Sequence, residues 1–559
     1  MVTNAEVATA FAEVADLLDV LGERFKPEAY RRASRSLEAL PEGLDAIAAR
    51  GELRTIPGVG EAIAEKVTEL LRTGRLAYLD RLRAQVPAGV LGLMRLPGVG
   101  PKTARRFWTE LGVGSPAELS AAIAAGRLEG VKGFAEKKIG QLRAVSATAT
   151  AEGPEKRLPI ETVWPLARSL LAAVRAAPSV RETAVAGSFR RARETVGDLD
   201  LLATAEAPEK VFDVFSRLPE VHEVRLRGPT KEAVVLANGL QVDLRVVEPE
   251  AFGAALQYFT GSKDHNIRLR SLAREHGLKV NEYGVYRGET RVAGRTEEEV
   301  YASLGLSWIP PELREDRGEI AAAAVGPPPR LVEPTDLLWE PHLHLSPSPS
   351  GAEVDRLVAA AQARSVRAVG VVVATVRQGE AAAVASSAVR ERLGPGGPVR
   401  LLPVVETDGA GPLPKDLATE LQPAYLVIVP GQGGTSRAEA PGVPVSLVAH
   451  TGGTPESASD TLALARRLGA AVEVGPGPER FGSAVARVAL NQGIPLGVPV
   501  GLGEPEEGAT GPVALGFARR AGAVPAAVLN AQEPPAASSR AGRPESGRSP
   551  RPRSSPRKR

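Results

Sequence analysis

Two aspartates two residues apart, Asp198 and Asp200 in the stretch AVAGSFRRARETVGDLDLL (184–202), open the chemical reading of this chain. In a strand, residues i and i+2 project from one face, so the two carboxylates lie side by side. Such a pair suits two hard divalent cations, Mg2+ or Mn2+, about 3.5–4 Å apart. A third carboxylate must come from a neighbouring strand, and Asp243 stands in such an apolar run, LQVDLRVV. Ten residues upstream of Asp198, Gly187 and Ser188 follow a strand-like run. A glycine there lets backbone approach a triphosphate, Ser188 offers a hydroxyl, and Arg190 or Arg191 can neutralise phosphate charge. A bare D-x-D is often a solvated strand pair; the G-S turn and the third aspartate make this one specific. The chemistry these residues suit is metal-assisted reaction at a triphosphate.

The elements that must position these residues follow from periodicity. Short β-type runs ETAVAGS, DLDLLAT, KEAVVLAN and QVDLRVV alternate with helical stretches such as TVWPLARSLLAAVRAA. Residues 151–250 therefore read as a mixed α/β domain around a small sheet. Residues 251–318 read as a smaller α+β unit, and 319–330, with AAAAVGPPPR, as a proline-rich linker. Residues 331–531 alternate strand-like runs (RAVGVVVAT, VRLLPVVE, AYLVIVP, PVSLVAH) with helical ones, the pattern of a second α/β domain, a barrel among the options. From 532 to 559 the sequence is Pro, Ser, Arg and Gly, which predicts a disordered tail.

Residues 1–150 read as helical and carry an internal repeat. LRTIPGVGEAIAEKVTELL begins at Leu53 and LMRLPGVGPKTARRFWTEL at Leu93, an offset of 40; GVKGFAEKKIGQL from Gly130 is a weaker third copy. Gly58 and Gly60, and Gly98 and Gly100, permit a tight turn and close approach by a ligand backbone. The helix that follows each turn starts with free N–H groups and a positive dipole end, which binds phosphate without reading sequence. Lys102, Arg105 and Arg106 add charge there. The pattern resembles helix-hairpin-helix motifs of DNA repair proteins and divides the region into 1–85 and 86–150.

Bulk properties bound the rest. A chain of 559 residues is too long for one core. With no cysteine, disulfides, thiolate zinc sites and cysteine nucleophiles are excluded. Acidic residues interrupt the apolar N-terminus, and Arg364 and Arg367 break the most apolar later run, so neither a signal peptide nor a membrane span is expected. A cytoplasmic monomer is the expectation. The net charge of +3 is misleading: residues 540–559 alone carry +7, which leaves −4 for everything before them. Nucleic-acid binding must therefore be argued from local motifs.

The G-S turn and three aspartates look like the nucleotidyltransferase superfamily. The segment AALQYFTGSKDHNIRLRSLAREHGLKVNEYGVY (254–286) then closely resembles the nucleotide-selection subdomain of DNA polymerase beta and its X-family relatives, and EKRLP (155–159) resembles the segment that opens that family's palm. The resemblance, to bacterial X-family DNA polymerases, covers roughly residues 1–318. It implies a multidomain α+β and α/β fold with a nucleotidyltransferase palm at 151–250. It implies that Asp198, Asp200 and Asp243 bind two metals and that Asp243 assists deprotonation of the primer 3′ hydroxyl. Gly187, Ser188, Arg191 and Arg157 would hold the triphosphate, and Tyr258, Phe259 and Gly261 would line the sugar pocket. Asn266 would meet the minor-groove edge of the incoming base and Arg270 the template. The partners implied are dNTPs and gapped or primer-template DNA. The family has an Arg just before its third Asp, where this chain has Gln241 and Val242. Lys66 takes the place of the Schiff-base lysine of that family's lyase, with Tyr30 also matching, although Ala62 stands where a second lysine is found.

The last domain resembles the polymerase-and-histidinol-phosphatase (PHP) domain at the C-terminus of bacterial X-family polymerases. Its opening Asp-x-His-x-His appears as WEPHLHLSPSPSG, with His342 and His344; VVETDG supplies Glu406 and VAHTGG supplies His450. Other signature stretches read VVVATVRQG, AYLVIVPGQG and PVGLG, without the expected acids and histidines. Three histidines and one glutamate are too few for a multi-metal centre. A degenerate barrel without 3′–5′ exonuclease activity is therefore expected. The alternatives are a retained exonuclease, a non-templated nucleotidyltransferase, and a non-catalytic DNA-binding scaffold. The paired hairpins argue against the second and the intact aspartates against the third.

Overall fold

A computed structural model describes residues 4–23, 25–38, 44–94, 96, 99–129, 139–140, 142, 157–346, 349–377, 380–384, 389, 391–393, 397–408, 414, 423–429, 445–449, 455–476, 480–502 and 510–534. Gly98, His450, most of the third hairpin copy and the basic tail lie outside the described residues.

The N-terminal region is all helix. Apolar side chains from both expected subdomains, among them Phe11, Val67, Leu93, Phe107 and Leu119, enter one buried cluster. The expected division at residue 85 is therefore not a break in the core. The described ends of the two P-G-V-G turns, Val59–Gly60 and Val99–Gly100, repeat each other in backbone geometry. Gly60 caps helix Glu61–Thr73 at φ −83°, ψ 177°, and Gly100 caps helix Pro101–Leu111 at φ −85°, ψ 175°. Val59 and Val99 each donate a 3.0 Å bond three residues back, to Ile56 and Leu96. Neither helix start carries a side-chain cap, which leaves its first N–H groups for an external acceptor.

The central sheet has five strands in the order Val180–Val185, Asp198–Ala205, Gln241–Val247, Lys231–Leu236, Val221–Arg227. Four of these coincide with the runs expected from sequence. The fifth, VHEVRLR, is mostly exposed and lacks an apolar face, so alternation does not reveal it. All neighbours pair antiparallel except Asp198–Ala205 with Gln241–Val247, which run parallel. Helix Ile160–Ala176 covers one face.

Residues 319–325 are not linker: Glu319–Val325 is a helix with Ile320 and Ala323 buried. Alanine favours helix, and the break comes only at Gly326 and the prolines behind it. This helix is anchored by Glu319, whose carboxylate lies 2.7 Å from Nδ1 of the buried His265.

The C-terminal region is a parallel sheet of seven strands, from Trp339–Leu343 through Ala368–Arg377, Arg400–Thr407, Tyr425–Ile428, Val445–Val448 and Ala471–Glu473 to Leu496–Gly497, with Glu380–Val384 antiparallel on the second. It is nearly closed, and side chains bridge the seam. The fully buried Asn530 donates to the carbonyls of Trp339 (2.9 Å) and Val498 (2.7 Å) and accepts from Val498 N (3.0 Å). Glu340 on the first strand accepts from Val500 N (3.0 Å) and Gly501 N (2.9 Å) beyond the last. Helix Thr510–Ala521 of this region packs against helix Ile160–Ala176, so the barrel and the central sheet share a continuous apolar cluster. Among the described residues no helix is long and apolar enough to cross a membrane.

Asn530→Ala should open the seam by leaving one N–H and two carbonyls unpaired in a buried site. The expected loss is on the order of 3 kcal/mol, read as an earlier urea transition of the C-terminal region.

Candidate active site

The parallel register sets Asp200 directly beside Asp243, and Asp198 beside Gln241. The three carboxylates thus gather at one end of adjacent strands, as the spacing predicts. The turn above them fits tightly. Gly187 has φ +66°, and a Cβ there would lie 2.6 Å from Asp200 Oδ2, so both the conformation and the contact require glycine. Ala186 N donates to the Asp200 carbonyl at 2.8 Å, tying the turn to the strand. Ser188 Oγ is buried and finds no hydrogen-bond partner among the described residues. A buried orphan hydroxyl costs free energy unless a ligand satisfies it.

Burial raises the Asp200 carboxyl to about 7, helped by Asp198 and Asp243; Arg245 and Lys231 oppose the rise. Asp243 is the better-served member. Lys231 Nζ lies 2.5 Å from its Oδ2, Arg245 Nη2 3.5 Å, and Gln241 Nε2 donates to its Oδ1 at 3.1 Å. Sequence reading missed Lys231 and Arg245. Lys231 reaches Asp243 only through the antiparallel register that pairs Ala233 with Asp243, and strand spacing alone does not give that register. Gln241 partners the third carboxylate where the family pattern has an arginine. The clustered carboxylates offer oxygen donors that fit divalent cations.

The arginines of the G-S-F-R-R turn divide. Arg190 is structural: it forks onto Glu297 (2.7 and 2.9 Å), which Arg314 also grips (2.6 and 3.0 Å). Those arginines hold the Glu297 carboxyl well below its usual range although burial pushes the other way. Arg191 Nε donates to Glu315 at 3.0 Å and its Nη1 to the Thr260 carbonyl. Arg157 does not join this group; it donates to the hydroxyl (3.0 Å) and carbonyl (2.6 Å) of Thr195, bracing the approach to Asp198.

Helix Phe252–Thr260 brings Tyr258 and Phe259 to the site edge, and the Arg245 guanidinium stacks over the Phe259 ring at 4.2 Å. The two rings meet edge-on at 5.2 Å, and the helix ends at Gly261, φ +71°. Asn266 is held by Gln257 (2.8 Å) and the Tyr258 carbonyl (2.7 Å), which fixes its amide beside that aromatic pair. Arg270 is exposed one turn further on, its Nε 3.2 Å from the Asn266 carbonyl.

At the first hairpin, Gly58 (φ +83°) and Gly60 line an open hollow of about 430 Å³ with Arg32 and Arg54. At the second, Lys102 and Arg105 are exposed, with Arg105 laid against Gly22, while Arg106 pairs with Glu110 at 2.9 Å. Lys66 donates to the Ala62 carbonyl at 2.9 Å and sits 5.2 Å over the Tyr78 ring, which stacks on Tyr30.

In the barrel, His342, His344 and Glu406 offer ligand atoms within 4.8 Å of one another. Two residues missed in the sequence complete the picture, Glu473 and Glu340. His342 Nδ1 meets Glu473 at 3.0 Å, and its Nε2 lies 3.3 Å from Glu406 outside hydrogen-bond geometry. His344 Nε2 meets Glu406 at 2.9 Å. Arg377 donates through Nη2 to Glu406, and Arg480 donates to Glu473 at 2.9 Å. Burial alone would push His342 down, but Glu473 and Glu406 raise it to about 9. Both carboxylates are thereby neutralised by side chains.

Three family models match: a helix-hairpin-helix domain at residues 2–76, a SAM-like helix-hairpin-helix tandem at 90–144, and the DNA polymerase beta thumb at 255–315. The chain is 33% identical over 312 residues to the DNA polymerase/3'-5' exonuclease PolX of Bacillus subtilis, covering 55% of this chain and 54% of that protein. It is 28% identical over 347 residues to DNA polymerase lambda of Rattus norvegicus, covering 56% of each. It is 25% identical over 355 residues to the DNA-directed DNA/RNA polymerase mu of Homo sapiens, 56% of this chain and 69% of that one. The chain thus spans about half the length of the first two relatives.

The Asp200 shift makes a stability prediction. Its folded carboxyl titrates near 7 against 3.8 unfolded. The group therefore favours folding at low pH, and that contribution is lost as pH rises through 7. Asp200→Asn should raise the melting temperature in EDTA at pH 8 and leave it nearly unchanged at pH 4. An equal change at both values would remove the burial argument.

Proposed function

We propose that this chain, which belongs to the X family of DNA polymerases, extends a primer 3′ hydroxyl from dNTPs under template direction, filling gaps during DNA repair. The observation that carries the reading is the register of Asp200 against Asp243, with Asp198 alongside, beneath the Gly187–Ser188 turn.

In this reading the aspartates hold two divalent cations, Mg2+ or Mn2+, which supply positive charge where the attacking oxygen and the departing pyrophosphate become negative. The protein's own groups do the positioning. Asp243 gives up its ion pair with Lys231 and draws the proton of the primer hydroxyl. Ser188 gains its missing partner in a triphosphate oxygen, and Arg191 supplies charge beside it. Arg157 acts one step back, through Thr195. Tyr258, Phe259 and Gly261 wall the sugar, Asn266 faces the base edge, and Arg270 extends to the template. Gly58, Gly60, Gly98, Gly100, Lys102 and Arg105 hold DNA phosphates. Lys66, tied to the Ala62 carbonyl beside the Tyr78 ring, acts as a phosphate contact rather than a Schiff-base nucleophile.

The C-terminal barrel is read as a PHP-like domain without its nuclease. Arg377 stands in the stretch where an acid or histidine is expected, and with Arg480 it occupies carboxylates that a metal cluster needs. The convergence of His342, His344 and Glu406 favours the second reading, a single retained cation.

Primer extension on gapped DNA with Mg2+ or Mn2+ tests the main reading. Asp243→Ala should cut incorporation at least a hundredfold, a loss of about 3 kcal/mol in transition-state stabilisation, and leave DNA affinity within about twofold. Untemplated addition by the wild type, or incorporation by the variant above about a tenth of wild type, contradicts it. For the barrel, digestion of single-stranded DNA with Mn2+ should show no 3′-end removal that His342→Ala abolishes; robust removal lost in that variant would establish the retained site.

A further inference from the structure

The segment between the G-S turn and the D-x-D strand, Arg191–Glu194, is gripped on three sides by the C-terminal region. Arg520, on helix Thr510–Ala521 and 4% exposed, donates through Nη1 to the Arg191 carbonyl at 3.1 Å and to Glu315 Oε1 at 2.7 Å. The same Glu315 oxygen accepts from Arg191 Nε at 3.0 Å. One residue on, a Cβ at Gly516 would lie 2.8 Å from Ala192 Cβ, so the helix approaches this backbone as closely as glycine allows. Ala192 itself has φ +51°, a conformation that an L-residue keeps only where its surroundings impose it. At the segment's end, the Glu194 carboxylate accepts from Ser483 N (2.9 Å) and Oγ (3.1 Å), capping helix Ser483–Asn491. Beside these contacts Arg519 pairs with Glu312 (2.6 Å) and Glu333 (2.6 Å).

We propose that Arg520 is a positioning residue for nucleotide binding: through Glu315 it aims the Arg191 guanidinium, so the C-terminal region completes the triphosphate site of the polymerase. The inference rests on the polymerase reading for the role of Arg191, but its geometry is independent of any nuclease. Glu315 links two arginines through one oxygen. Burial is the largest influence on it and pushes its carboxyl up, yet Arg520 and Arg191 outweigh this and hold it near 2. It therefore stays charged, and the pairing persists at every working pH. A guanidinium is a rigid planar fork, so fixing Nε on Glu315 and Nη1 on Thr260 fixes the direction of the rest. Without Arg520, Glu315 loses its second partner, the Arg191 carbonyl loses its donor, and the strained turn at Ala192 loses its brace. Neither Asp198, Asp200 nor Asp243 is touched by Arg520, so the effect should fall on nucleotide affinity and not on the chemical step.

The full-length chain, bound to gapped DNA, tests this with two readouts. Steady-state incorporation gives KM for dNTP and kcat; fluorescent dNTP binding, with a dideoxy-terminated primer and Ca2+, gives affinity without chemistry. Arg520→Met should raise both the KM and the dissociation constant about tenfold while kcat and DNA affinity stay within about twofold. Arg520→Lys, which keeps the charge and one donor, should recover part of the loss. In a Glu315→Gln background, Arg520→Met should add less than about twofold, because both act through Arg191. A thermal melt separates this from loss of folding: Arg520→Lys should melt with the wild type. The proposal is overturned if Arg520→Met leaves dNTP affinity unchanged, if it lowers kcat alone, or if the two substitutions multiply independently. Wild-type nucleotide binding without incorporation would sink the polymerase reading and leave this one standing; absence of binding in the wild type would sink both.

Discussion

Everything in this chain that bears on chemistry depends on one electrostatic constraint: three carboxylates held together at the end of a parallel strand pair, with one of them almost wholly buried. Carboxylates so placed repel each other and lose hydration, and the protein answers only in part. Lys231 and Arg245 serve Asp243, while Asp200 remains at about 7. A fold tolerates such a deficit when an external cation completes it. The Gly187 turn seals the same point from above. Its glycine fits against Asp200, and its serine keeps a buried hydroxyl without a partner among the described residues.

The two halves of the molecule treat clustered carboxylates in opposite ways. In the central sheet Lys231 and Arg245 both serve Asp243, while burial and its neighbours raise Asp200. In the barrel, Glu406 and Glu473 are each matched by an arginine, and His342 lodges between them. Glu340 turns away to hold the backbone at the barrel seam. The first arrangement suits metal and triphosphate; the carboxylates of the second are paired internally. The barrel also makes a mechanical contact. Its helix Thr510–Ala521 lies against Ile160–Ala176 and reaches the turn that carries Arg191.

Much of this was legible in the sequence because it is local. The D-x-D pair, the G-S turn ten residues before it and the four strand runs declare themselves by period-two alternation and by residue type. The paired P-G-V-G turns do so by repetition. What stayed hidden is what register and tertiary approach decide. Lys231 meets Asp243 only because two antiparallel strands align as they do. Arg520 meets Glu315 across 205 residues of chain. The alanine run at 321–324 read as linker because prolines follow it, yet Ile320 and Ala323 find a core and the helix forms. Asn530 carries no motif at all, and its worth lies in closing the seam through Trp339, 191 residues away in sequence.

The central claim, that the aspartate cluster is completed by divalent cations, is tested most directly by calorimetric Mn2+ titration. The chain would be bound to gapped DNA with a dideoxy-terminated primer and dNTP, in two buffers of different ionisation enthalpy. With the Asp200 carboxyl near 7, binding at pH 6.5 should release a substantial fraction of a proton. The release should fall toward zero by pH 8.5 and vanish in Asp200→Asn. Binding with the same proton count in wild type and Asp200→Asn would contradict the account.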